Sequence, residues 1–512
     1  MSNILISTKV VVIGAGVSGL QAARLLYKQG IDVHVVEASE RIGGRTKGYS
    51  FGEDGSIDLG GQWAGKNQKH LLKLLEEFDI LLYDQYTEGK SLQSYPKYGN
   101  KLYSGTIPPL SVKGLLDLQL NGINRIEGLT RDINMDEISL SANAIEYDNM
   151  TVESFINTYC KSEDAKQSIM LAVRCIFGAE PGEISFLWFL YYCKSGGGIM
   201  SLSSVTDGAQ ELKISGTASA IAFRLADDIP ADHIHLNASA TRLVQTDTGV
   251  TVYTGYPGVE GPVIQAEYAI LAIPPSQAGH IKYEPEMPFE RVKLCEKAFM
   301  GAIVKIFVRY ETAFWRDAGY NGSIIAYNAD DELAALSMVY DAVSKDEKIK
   351  GLVVFCCGRN AQEYTRMAQT DPLKIKTRIL AKLVECFGEK ASNPIDWVAQ
   401  DWNRVPNMYG AYTNNFPPGC LSLFGDALRI PVGRVHFAGT ETATEHVGYI
   451  SGAIQAGERA ASEVTECIKE NSVWSLSEVN RKIVEERQNR KPAMHRQDEF
   501  GLRLPRVFWL KF

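Results

Sequence analysis

Three closely spaced glycines, Gly14, Gly16 and Gly19, follow the β-branched run Val10 to Ile13 in VVVIGAGVSGLQAARLLYKQGIDVHVVEAS. The first permits a tight turn, the second lets a pyrophosphate reach the backbone, and the third lets a helix lie close to the strand. The helix start, with Ser18 in its first turn, offers free N–H groups to phosphate. Beyond the helix a second strand-like run, Val33 to Val36, ends at Glu37, whose carboxylate suits two ribose hydroxyls and repels a 2′-phosphate. Strand, glycine turn, helix, strand and acid in one unit form a dinucleotide-binding pattern, which serves NAD or FAD equally well. A second group with chemical potential is Lys305, placed by FMGAIVKIFVRY in the middle of an apolar strand. An ammonium there either snorkels from a sheet edge or has a built-in partner.

A large fold must position these groups. The 512 residues are 45% hydrophobic and 22% charged, enough apolar material for a substantial core and for about three domain-sized units. Lys plus Arg number 53 against 61 Asp plus Glu, a net charge of −8, which argues against a nucleic-acid partner because phosphates call for a basic surface. Nine cysteines form no CxxC pair and no short disulfide framework, which points to a reducing compartment. The eight histidines show no HExxH or Cys/His ligand spacing, so no metal is expected. No run is long and apolar enough to span a bilayer, and no signal peptide precedes the first strand, so a cytoplasmic location is expected. The last residues mix Arg503, Arg506 and Lys511 with Leu502, Leu504, Val507, Phe508, Trp509 and Leu510. A tail packed on its own domain is the plainer expectation; a peripheral membrane or subunit contact is the alternative.

The residues beyond Glu37 separate the two cofactors. ERIGGRTKGY places Gly43, Gly44 and Arg45 just past Glu37 and Ala38, and DLGGQW adds Asp58, Gly60, Gly61, Gln62 and Trp63. With this series the chain resembles the flavin-dependent amine oxidases, whose second strand is followed by an R-x-G-G-R segment and then a GG turn. The resemblance implies FAD, with Arg45 at its phosphate or ribityl region and Gly60, Gly61, Gln62 and Trp63 near the isoalloxazine. Downstream, VHFAGTETATEHVGYISGAIQAGERAASEV is similar to the C-terminal flavin segment of the monoamine oxidase branch. It reads as a strand, the turn Gly439, Thr440 and Glu441, and a helix starting near Gly448, Tyr449 and Ile450. That helix start would present its positive end to the pyrimidine edge of the flavin. Ala240 falls where the family holds the adenine by its backbone. Asp207 to Glu211, including Gln210, resemble a further family segment and read as the opening of a helix.

The segment CIFGAEPGEISFLWFLYYCKSGGG reads as an apolar helix, with core packing the plainer role and Phe177 and Leu187 the candidates for lining a substrate cavity. Arg174 either anchors a substrate carboxylate or, more plainly, pairs with Glu180 or Glu183. The resemblance implies that Lys305 holds a water against flavin N5 and that Trp402 packs beside the ring. AQDWNRVPNMYGAYTNNFPPG keeps Tyr412, Thr413, Phe416, Pro417, Pro418 and Gly419, but Ala411 stands where monoamine oxidases carry the cysteine bonded to the flavin. FAD is therefore expected without a covalent link. Tyr412 and Tyr449 correspond to the two tyrosines that flank the reacting amine in this family. Paired aromatic faces orient an amine and exclude water, and an apolar slot favours its neutral form.

The fold class implied is α/β, a Rossmann-like FAD-binding domain (1–83, 208–290 and 405–467) interleaved with an α+β substrate-binding domain (84–207 and 291–404), then a tail (468–512). The function implied is oxidation of a small-molecule amine to an imine by hydride transfer to the flavin, with dioxygen reduced to hydrogen peroxide and Lys305, Tyr412 and Tyr449 in catalytic roles. The substrate contacts expected are Gln210, Phe177, Leu187 and the two tyrosines. A monoamine oxidase is the first reading. A polyamine oxidase, an L-amino-acid oxidase and an amine dehydrogenase with another electron acceptor are the alternatives, and a homodimer is left open.

Overall fold

The computed structural model describes residues 4–95, 99–105, 109–327 and 336–473. The basic-apolar tail at 500–512 lies outside the described residues.

Five parallel strands build the nucleotide side: β1 (Val10–Ile13), β2 (Val33–Val36), β3 (Ile234–His235), β4 (Tyr268–Leu271) and β5 (Val435–Phe437). They lie in the order β3-β2-β1-β4-β5, so chain segments far apart in sequence meet in one sheet. A parallel sheet is covered on both faces, which explains why Val10, Val11, Val12 and Ile13 form a continuous apolar run with no polar alternation. One face packs on α1 (Val17–Lys28) and α2 (Ile450–Glu470), the other on a five-stranded sheet that includes Ala240–Gln245 and Val250–Tyr256. Close packing depends on missing side chains. A Cβ on Gly19 would stand 2.0 Å from the Gly14 carbonyl oxygen, and one on Gly457 2.4 Å from that of Ser18.

The substrate side has a seven-stranded sheet whose centre includes Ile303–Tyr310, Lys350–Cys357 and Met338–Asp341, and a helical layer that contains Glu163–Phe177 and Phe186–Ser195. Two expectations about local structure are corrected here. The apolar stretch 175–198 is not one helix: Gly178, at φ +63°, ends Glu163–Phe177, and a new helix starts at Phe186 with the Ser185 hydroxyl accepting from the Trp188 N–H. The stretch 207–211 opens no helix either. It turns into the strand Leu212–Ile214, which pairs with Trp63–Ala64 and Leu82–Asp84, and a helix begins only at Ser219. Among the described residues no helix is long and apolar enough to cross a membrane.

Candidate active site

A cavity of about 750 Å³ runs from the β1–α1 turn, past the end of β2 and the Gly43–Thr46 loop, to the seven-stranded sheet. At its nucleotide end Gly14 has φ +105° and a Cβ on Gly16 would meet nothing within 4 Å, so the backbone faces open space. α1 has no side-chain cap, leaving its first N–H groups for a ligand. The Ser18 hydroxyl accepts from the Gly439 N–H at 2.9 Å, tying α1 to the turn after β5, and Ser18 lines the cavity. Glu37 is fixed at the tip of β2: its carboxylate accepts from the Ala15 N–H at 2.8 Å and from the Ser39 N–H and hydroxyl at 2.9 and 2.8 Å. Ala38 and Ala240 line the same end.

Arg45 crosses the middle. It donates to both oxygens of Glu441, at 2.6 and 3.1 Å, and to the Tyr412 carbonyl at 2.8 Å, while its side chain keeps 23% exposure toward the cavity. Glu441 is fully buried and does not line the cavity; it also accepts from the Thr413 hydroxyl and the Asn414 N–H. Burial pushes its carboxyl up, but the charge and hydrogen bonds of Arg45 outweigh this and hold it below the ordinary value. Glu441 is thus a positioning residue for Arg45, and through it for Tyr412. Gly60 packs against the same loop, where a Cβ would stand 2.2 Å from the Arg45 carbonyl oxygen.

Lys305 lies deeper, 2% exposed. Its strand is hydrogen-bonded on both sides, by Lys350–Cys357 and Asp396–Asp401, so the side chain cannot snorkel from an edge. Nζ donates to the Gly60 carbonyl at 2.8 Å and to Gln62 Oε1. Burial lowers the pKa of this ammonium, Asp58 raises it and Lys213 lowers it again; the same burial raises Asp58, which accepts from the Ala218 N–H at 2.9 Å. Trp402 closes the floor by donating its indole N–H to the Leu59 carbonyl at 3.0 Å. Trp63 stacks on Phe355, ring centres 5.7 Å apart, and Phe355 neighbours Tyr412 at 6.5 Å.

Tyr412 and Tyr449 line the same cavity. Burial raises the pKa of both phenols, so each is a neutral hydroxyl at physiological pH. Tyr449 is the N-cap of α2 and has no side-chain cap bond; the Thr440 hydroxyl donates to its carbonyl at 2.9 Å. Gly448 gives Tyr192 room, because a Cβ there would stand 2.5 Å from the Tyr192 hydroxyl. Gln210 donates its amide to the Leu202 carbonyl, which leaves Oε1 buried without a partner, and Gln62 Nε2 is likewise unpartnered.

The cavity brings together most of the residues expected to bind cofactor, but it corrects two of the expected substrate contacts. Phe177 and Leu187 are fully buried in the helical core and do not line it. Because the first helix ends at Gly178, Phe177 tucks beneath Tyr192, ring centres 4.6 Å apart. The lining comes from the preceding turns of that helix, Leu171, Ala172, Cys175 and Ile176, with Tyr192, Ile199, Tyr340 and Phe355. Sequence reasoning does not single these out. The i, i+4 pairs Leu171–Cys175 and Ala172–Ile176 are the signal that marks this face. Arg174 takes the plainer of its two roles, donating to both oxygens of Glu180, and is no carboxylate anchor in this cavity.

The residues present fit a flavin dinucleotide. The uncapped start of α1 and the bare Gly16 backbone suit a diphosphate, the uncapped start of α2 an electron-rich ring edge, Glu37 a ribose, and the unpartnered Gln62 amide a ring heteroatom.

Comparison with known proteins bears on the same region. Residues 17–465 match the family described as flavin containing amine oxidoreductase. The chain is 34% identical over 469 residues to amine oxidase [flavin-containing] B of Sus scrofa, covering 91% of this chain and 88% of that one. Among solved structures, cyclohexylamine oxidase from Brevibacterium oxydans IH-35A superposes with a TM-score of 0.83 at 31% identity, covering 90% and 99% of the two chains. An alanine-to-cysteine mutant of putrescine oxidase, described as a redesign of cofactor binding, gives 0.84 at 26% identity over 90% and 99%.

Proposed function

This chain belongs to the flavin-containing amine oxidoreductase family and is a flavin-dependent amine oxidase, and from that premise we propose that its substrates are apolar monoamines and that its FAD is held without a covalent bond. When bound, the flavin supplies the two-electron acceptor for the amine and the route to dioxygen.

The observation that carries the substrate class is the composition of the cavity beyond the tyrosines. Leu171, Ile176, Ile199, Ile325 and Phe355 line it, and among the described residues its one acidic side chain is Glu37, at the nucleotide end. Such a wall desolvates an alkylammonium and favours the neutral amine whose lone pair oxidation needs. Tyr412 and Tyr449 restrict how the amine enters, and Gln210 Oε1 offers an acceptor for an N–H. A second ammonium, as in a diamine, would find no counter-ion there. With apolar monoamines and diamines of matched length in a peroxide-coupled assay, kcat/KM should favour the monoamine about a hundredfold or more. Equal values would remove the proposal, and anaerobic addition that bleaches the flavin with polyamines alone would replace it.

Non-covalent attachment rests on Ala411, a buried cavity residue with no nucleophile. Cys420, across the Pro417–Pro418–Gly419 turn, is buried and does not reach the cavity. Acid precipitation should therefore leave the yellow colour in the supernatant. Colour retained in the washed pellet refutes the claim.

A further inference from the structure

The helix Glu163–Phe177 turns one face to the cavity, and Ser168, Leu171, Ala172 and Cys175 fall on it at i, i+3, i+4 and i+7. Cys175 packs, as Tyr412 does, against the cluster that holds Phe355 and Ala411, which puts that end of the face beside the tyrosine wall. Ser168 lies two turns back, about 10 Å farther along the helix axis. The wall there is apolar: Leu118, Ile123 and Ile169 pack in one cluster and all line the cavity. In that wall the Ser168 hydroxyl meets the phenol of Tyr327, 3.1 Å away. Tyr327 stands just past the strand Tyr320–Ala326, two residues beyond Ile325, and both line the cavity.

Hydrogen-bond accounting gives this pair a direction. Ser168 has one hydrogen, and it goes to the Asp164 carbonyl at 2.8 Å, one turn back on the helix. The Tyr327 phenol therefore donates across the 3.1 Å contact, and burial, which raises its pKa, keeps that proton in place. The side chain of Gln93, fully buried, is a further hydrogen-bond partner of the phenol and helps to fix it. Ser168 Oγ thus accepts one bond and keeps a second lone pair, at a position that lines the cavity. In an apolar wall that lone pair favours a ligand O–H over an ether oxygen, because an ether sets a second acceptor against the first. The Asp164 carboxylate does not line the cavity; it accepts from the Ser111 N–H and hydroxyl at 3.2 and 2.8 Å. A distal ammonium therefore gains no counter-ion from it.

We propose that Ser168 and Tyr327 form a distal subsite that recognises a neutral hydroxyl at the far end of the substrate, Ser168 Oγ accepting its O–H and Tyr327 holding that oxygen in position. The inference rests on the monoamine reading and deepens it: the substrate is apolar along its length and ends in one hydrogen-bond donor.

The test is a peroxide-coupled series of linear amines, butyl to decyl, each ending in hydroxyl, methoxy or a second amine, with the plain alkylamines as turnover controls. The hydroxyl-to-methoxy ratio of kcat/KM should reach about tenfold at one chain length and fall away on either side. The gain should sit mainly in KM, because the contact lies far from the reacting carbon and is made in ground and transition states alike. Ser168→Ala should bring the ratio to about one at every length. Tyr327→Phe, which removes the donor that orients Oγ, should lower the ratio in part and broaden the length optimum. Each ratio is taken within one FAD-loaded preparation, so loss of folded protein cancels. A ratio near one at every length in the parent, or an undiminished ratio in Ser168→Ala, overturns the subsite, while turnover of the alkylamines leaves the monoamine reading standing. A diamine preferred at every length overturns the monoamine reading, and this subsite with it.

Discussion

Lys305→Met should lower amine turnover by about a hundredfold or more while the protein still takes up FAD, because a fixed charge in a water-poor site acts on developing charge far more strongly than in water. Met preserves the volume of the stem but removes the donor to the Gly60 carbonyl and Gln62 Oε1. The nucleotide end does not touch this residue, so cofactor uptake is the internal control. The pH dependence gives a second readout. Burial is the largest influence on this ammonium and lowers its pKa, and the attraction of Asp58 offsets part of that. A rate that depends on the charged form is therefore full at low pH and lost as pH rises through a value below the ordinary lysine pKa of about 10.4. Asp58 moves the opposite way, so the profile belongs to the pair rather than to either group. Rapid-mixing measurement of flavin reduction and reoxidation across pH should show this limb in the parent and none in Lys305→Met. Equal rates in the two proteins would take Lys305 out of the reaction.

The nucleotide side is legible in the sequence because its requirements are local. Gly14, Gly16 and Gly19 each answer one backbone demand, and Glu37 stands at the end of the next strand. Lys305 is legible for a related reason: a lone charge in an apolar strand must have a partner, and both neighbouring strands are needed before the edge alternative falls. The substrate wall is not legible in the same way. Phe177 and Cys175 are two residues apart on one helix, yet one packs beneath Tyr192 and the other faces the cavity, and hydrophobicity does not separate them. The helix end at Gly178 and the approach of Lys350–Cys357 do separate them, through a contact between distant parts of the chain. The turn at 207–211 departs from its helical expectation because the strand it leads into, Leu212–Ile214, pairs with Trp63–Ala64 and Leu82–Asp84, and that pairing overrides local propensity. Arg45 reads from sequence as a cofactor contact, and its cavity exposure suits that role. Its acidic partner Glu441 lies in a segment that reads as flavin-binding in its own right.

That pair supplies the second large effect. Arg45→Ala should destabilise the protein by about 3–5 kcal/mol, the cost of leaving a buried charge without its partner. Glu441 is fully buried and keeps only the Thr413 hydroxyl and the Asn414 N–H, both at 3.1 Å. The same substitution frees the Tyr412 carbonyl from a 2.8 Å hydrogen bond, so the aromatic wall loosens and kcat falls along with stability. Two controls separate charge from packing. Adding Glu441→Gln to Arg45→Ala removes the orphaned charge and should restore part of the stability in a double-mutant cycle. Acid should also narrow the gap between the parent and Arg45→Ala. In the folded parent Arg45 holds the Glu441 pKa below its ordinary value, so its contribution is present above the unfolded carboxylate pKa and disappears as pH falls through the folded one. In Arg45→Ala burial acts without that offset and raises the folded pKa, so protonation relieves the variant at a higher pH. Denaturant unfolding of the three proteins at neutral and acidic pH measures both trends, and a parent-like midpoint for Arg45→Ala at neutral pH would show that the Arg45–Glu441 pair does not hold the two halves of the site together.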